Sequence, residues 1–174
     1  MKLMITALTL TLIFGSTAAR AATWTYPILN DYQAAADQAL AAARALSATP
    51  AATELAALAD GQRDLARIGV SLMNLYADKN PSCAEQFKVF IAETPAMENL
   101  TLAEVHKRYH NGEGLPAAPK HCYFGRSQVV HPEMNVIRLK GSWSEKVRSE
   151  VLDEIEEVIE HLSRVQKNLD SPPN

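Results

Sequence analysis

Residues 142–169, SWSEKVRSEVLDEIEEVIEHLSRVQKNL, decide the fold class. Val151, Ile155, Val158, Leu162, Val165 and Leu169 recur at alternating spacings of four and three, one continuous apolar stripe on a helix. Ser142 with Glu145 three residues on supplies a capping box at the start, and Ser171-Pro172-Pro173 closes the helix. A helix with one long apolar face has to bury that face against other elements, and the rest of the chain supplies helices for it.

Working toward the N-terminus, residues 31–46, DYQAAADQALAAARAL, contain neither Gly nor Pro and are rich in alanine, the strongest helix former. A second helix, with Thr49 as its cap and Pro50 at its first position, runs to about Ala77 on the stripe Leu55, Leu58, Leu65, Leu72 and Tyr76, interrupted by Gln62 and Gly69. Gly61 and Gly69 each cost this helix up to about 1 kcal/mol unless a neighbour comes close there. Asn80-Pro81-Ser82 opens a third helix with Phe87, Phe90 and Ile91 on its buried face and Pro95 at its end. Thr101 and Glu104 cap a short fourth helix, stapled by Leu100 and Val105 and stopped by Asn111-Gly112. Between Gly112 and Ser142 the spacing gives no clear element, and a packed loop is expected, with a short helix or a strand over Pro132–Lys140. The expectation is therefore all-α: a four-helix-bundle-like domain with an extra short helix and a long packed loop pinned by one disulfide.

The chain has 174 residues, enough for one domain, and is 47% hydrophobic, which excludes a disordered chain. Lys2, the apolar run to Gly15 and Ala19-Arg20-Ala21 read as a secretory signal peptide over residues 1–21, leaving a single helical domain over 22–174. The run is shorter than the roughly 20 apolar residues of a membrane span, so no span is expected after cleavage and the protein is expected in the periplasm or secreted. Losing Lys2 and Arg20 takes the formal charge from −3 to −5, which disfavours a nucleic-acid partner.

In an oxidising compartment Cys83 and Cys122 are expected to pair, tying the start of the third helix to the loop. The rival is a thiolate metal ligand, favoured by His121 beside Cys122. Four histidines, His106, His110, His121 and His131, fall within 26 residues, and His106 and His110 lie four apart on one helix. His106 and His110 are the first candidate metal ligands, with His131 and Met134 next and His121 as an alternate. Imidazole with thioether suits copper; imidazole with carboxylate, for which Glu113 is the candidate, suits zinc or iron. Haem iron is a further candidate, although no Cys-x-x-Cys-His attachment motif is present. His161 could complete the site if the last helix passes behind His106.

The last helix carries an acidic face (Glu150, Asp153, Glu157, Glu160), read as solvated or as facing a basic partner or the chain's own Lys107, Arg108, Lys120 and Arg126. No nucleophile elbow, phosphate loop or spaced Ser/His/Asp set is present, so nothing supports an enzyme. The pattern is similar in architecture to the small periplasmic four-helix-bundle cytochromes, but no shared motif transfers a residue. Two functions follow as expectations: a bundle that binds a transition metal or haem iron for storage, delivery or electron transfer, or a non-enzymatic module for an envelope protein partner. The second would use Tyr109, Tyr123 and Phe124 as exposed anchors.

Overall fold

The computed structural model describes residues 23–172, so the signal-peptide segment lies outside the described residues. Helices account for all its regular structure: α1 (Pro27–Ala45), α2 (Ala52–Lys79), α3 (Ala84–Met97), α4 (Leu102–Val105), α5 (Cys122–Leu139) and α6 (Glu145–Asp170). A 3₁₀ turn, Pro81–Cys83, leads into α3, and α4 continues as a π-helical turn over His106–His110.

The predicted stripe of α6 is its buried face. Val151, Ile155, Val158, Leu162, Val165 and Leu169 are all at most 2% exposed, each worth about 2 kcal/mol of transfer free energy. The cap differs by two residues: Ser144 takes the Val147 N–H, and Ser142 lies outside the helix. Similarly, α2 starts after Ala51, whose N–H is held by Glu54, rather than at Thr49, and α3 runs two residues beyond Pro95.

The largest difference lies in the segment expected to be a packed loop. Residues 111–121 and 140–142 are irregular, whereas residues 122–139 form α5, buried on almost every side. Because no face of α5 meets water, it has no amphipathic period to read, and Gly125, Pro132 and several β-branched residues disguise it further.

Pro132 sits in the middle of this helix. Lacking an N–H, it leaves the Gln128 carbonyl without its partner four residues on. Tyr32 of α1 supplies the missing donor, its hydroxyl lying 2.8 Å from that carbonyl. On the α2 side, a Cβ at Gly69 would collide with the same Gln128 carbonyl and lie 2.9 Å from the Val129 side chain. Gly69 is thus the close approach that makes a mid-helix glycine worthwhile. Gly61, with nothing within 4 Å, is not.

The disulfide is formed between Cys83 and Cys122, 39 residues apart, and fastens the 3₁₀ turn before α3 to the first residue of α5. The sulfurs are therefore bonded to one another and the thiolate-ligand reading falls. Tyr76 reinforces this corner by donating to the His121 carbonyl at 2.9 Å and accepting from Asn168 of α6 at 2.7 Å. At the other end of the bundle Glu98 takes Arg63 through both oxygens at 2.7 and 3.0 Å, and Lys140 lies 2.8 Å from the same carboxylate.

Candidate metal centre

Three elements bring polar side chains to one place: the π turn gives His110, α5 gives Tyr123 and His131, and α6 gives Glu154, Glu157 and His161. The π turn is closed by the Asn111 N–H bonding the His106 carbonyl at 2.9 Å, a wider loop than an α-helical turn and a form often found at functional sites.

Each of the three imidazoles is held at Nδ1 by an oxygen. His131 Nδ1 bonds Glu154, which is itself fixed by Arg138 at 2.8 Å. His161 Nδ1 lies 3.1 Å from Ser127 Oγ, whose own hydrogen goes to the Phe124 carbonyl. His110 Nδ1 lies 3.3 Å from Asn111 Oδ1. In a neutral ring an oxygen partner at Nδ1 favours the Nδ1–H tautomer, which leaves the lone pair on Nε2.

The three Nε2 atoms turn toward the Tyr123 hydroxyl and Glu157. Tyr123 Oη is 3.0 Å from His110 Nε2, 3.3 Å from His131 Nε2 and 3.2 Å from Glu157 Oε1. Glu157 Oε1 is 3.6 Å from Nε2 of both His131 and His161. Ligand atoms of His110, His131 and Glu157 all lie within 4.8 Å of one another, within reach of a single ion. One phenolic proton cannot serve all these acceptors, so the centre is rich in lone pairs and poor in donors.

The electrostatics agree. Burial holds His110 and His161 below the ordinary histidine pKa, favouring neutral rings. Burial, followed by the Glu157 charge, pushes the Tyr123 phenol well above its ordinary value. Burial works to raise Glu154, but the hydrogen bond and charge of His131, together with Arg138, outweigh it and leave its pKa lowered.

The sequence candidates are not all gathered here. His110 and His131 are in the centre; His106 is exposed and stacks on His110 at 4.6 Å between ring centroids, outside the trio. His121 belongs to the disulfide corner, stacked on Tyr76. Met134 is buried in the main apolar core. Glu113 is exposed and pairs loosely with Lys107 at 3.8 Å. The carboxylates at the centre come instead from α6: Glu157 of its acidic face and Glu154 beside it. Its readable signal was Glu157 placed four residues before His161, which puts both on one helical face.

The exposed aromatic anchors also need correction. Tyr109 is only 3% exposed and packs edge-on against Phe90, while Tyr123 and Phe124 are half-buried around His161. Of the chain's own bases named as alternative partners of the acidic face, Arg108 pairs with Glu93 and Arg126 with Gln86, while Arg138 takes Glu150 and Glu154.

Compared with known proteins, the chain matches no family model, no curated sequence and no solved structure. Its function has to be argued from this centre.

Proposed function

We propose that the protein is an exported helical-bundle protein that binds one divalent transition-metal ion through His110, His131 and Glu157, with His161 and Tyr123 at hand to complete the coordination. The observation that carries this reading is the matched orientation of the three imidazoles. Each has an oxygen partner at Nδ1, and Nε2 reaches the Tyr123 hydroxyl from His110 and His131 and the Glu157 carboxylate from His131 and His161. Oxygen partners behind imidazole ligands fix their tautomer and raise their basicity, the usual support for a metal site.

Imidazole with carboxylate suits zinc or iron(II). The thioether that would have favoured copper, Met134, lies in the apolar core. Haem is less suited: the His110 and His131 rings are 5.1 Å apart and edge to face, with Tyr123 in contact with both. That leaves space for an ion rather than a porphyrin plane. With no nucleophile or catalytic set in view, storage or delivery fits better than catalysis. Export is supported by the signal-like N-terminus and the formed disulfide, and among the described residues no helix is long and apolar enough to cross a membrane.

Elemental analysis of protein purified without a histidine tag, followed by equilibrium dialysis against zinc and anaerobic iron(II), tests the reading. One equivalent is expected, lost in the His110→Ala/His131→Ala double variant and retained in His106→Ala. Unchanged stoichiometry in the double variant, or no binding by the native chain, overturns it.

A further inference from the structure

A cavity of about 560 Å³ lies beside the metal centre and shares His110 and Tyr123 with it. Its floor is Arg126, only 8% exposed. The guanidinium gives Nη1 to Gln86 Oε1 at 2.8 Å and Nη2 to the His110 carbonyl at 3.0 Å, and its Nε has no partner. Both acceptors are neutral, and no carboxylate pairs with it among the described residues. Isolated buried charge is costly, and guanidinium burial is normally paid back by a carboxylate or phosphate.

Arg126 lines the cavity beneath a loop that packs closely on it. Gly112, at φ +80°, bends the loop over it, and a Cβ there would lie 3.1–3.3 Å from the guanidinium atoms. Lys120 adds a second cation on the first turn leading into α5, whose N-terminal end is the positive end of the helix dipole. Leu115, Pro116 and Ala118 form an apolar part of the wall, with Asn111 and Gln86 among the polar lining.

We propose that this cavity binds a small organic carboxylate, its charged end on Arg126 and its hydrocarbon body against the Leu115 wall. A charged floor with an apolar wall selects a carboxylate that carries carbon over a bare inorganic oxyanion. The site is adjacent to the metal centre but does not depend on it, so it can be probed without metal.

Calorimetric titration of the metal-free mature chain with benzoate, and separately with inorganic phosphate, reads the proposal directly. Benzoate is expected to bind at one per chain and more tightly than phosphate, and Arg126→Gln to weaken it at least about tenfold. Because Arg126 also braces the loop, Leu115→Trp, which fills the cavity from its apolar wall, is run beside it, with helix content checked by circular dichroism. Loss of benzoate binding in Leu115→Trp with the fold intact supports the site even if Arg126→Gln does not fold. No benzoate binding by the native chain, tighter binding of phosphate, or binding indifferent to Leu115→Trp overturns it. Zinc uptake measured on the same samples keeps the two readings apart: uptake without benzoate binding sinks the carboxylate site alone, and benzoate binding without uptake sinks the metal site alone.

Discussion

Glu154 of α6 holds His131 of α5 by Nδ1 while its other oxygen takes Arg138, so one buried carboxylate both orients an imidazole and ties two helices together. Its side chain is 13% exposed, which makes the hydrogen bond count for more than a surface pair would. Replacing it with glutamine keeps the shape and removes the charge. Glu154→Gln is expected to lower zinc affinity by about 10- to 100-fold with little change in the fold, measured by competition with a chromophoric chelator. An unchanged affinity means that Glu154 does not orient a ligand.

The Tyr123 hydroxyl is the sole proton among several acceptors at the centre, so its loss should be felt most by the metal-free protein. Tyr123→Phe is expected to lower the metal-free stability by about 1–2 kcal/mol, and the rise in Tm on adding zinc should become larger than in the native chain. A smaller rise would mean that the phenol is itself a ligand the ion cannot do without.

Gly69 and Gly61 lie on the same helix and should respond oppositely to alanine. Gly69→Ala drives a methyl group into the Gln128 carbonyl that Tyr32 also holds, and is expected to cost about 3 kcal/mol. Gly61→Ala meets nothing and should stabilise by up to about 1 kcal/mol. Urea denaturation of the two variants side by side checks the contrast.

Glu98 provides a pH signature remote from the candidate metal centre. The hydrogen bond from Arg63, aided by Lys140, pulls its carboxyl down to about 2 from an ordinary 4.5. A depressed acid contributes stability that is fully present above its unfolded value and is lost as pH falls through the folded one. Glu98→Gln is therefore expected to be about 1 kcal/mol less stable at pH 7, a figure discounted for partial exposure and salt screening, with the difference closing between about pH 4.5 and 2. Thermal melts across that range read it.

Removing the Cys83–Cys122 bond opens a long loop. On the chain-entropy account, Cys83→Ser/Cys122→Ser is expected to cost roughly 4 kcal/mol. Chemical denaturation with and without reductant measures this in the native chain.

The amphipathic helices could be read from sequence because they meet water on one side, as the α6 stripe and the buried Gln62 and Gly69 within the α2 stripe show. α5 could not, since burial on almost all sides erases the periodic signal and Pro132 mimics a breaker whose freed Gln128 carbonyl is taken by Tyr32, 96 residues from Gln128. The centre was half visible for the same reason. His110 and His131 stood out by type and crowding, whereas Glu157 looked like a member of a solvated acidic face and Glu154 was only one more acid on a helix rich in them. Only the packing of α6 against α5 separates these two from Glu160, which remains exposed.

The disulfide has a consequence in time. Cys122 is the residue immediately before Tyr123, and the bond that fixes it also fixes where the first turn of α5 begins. A newly made, reduced chain already contains every ligand but lacks the clasp that registers Tyr123 against His110. On the proposed metal-binding reading, oxidation would come first and ion capture second, and the protein would take its metal from wherever its thiols are oxidised rather than from where it is synthesised.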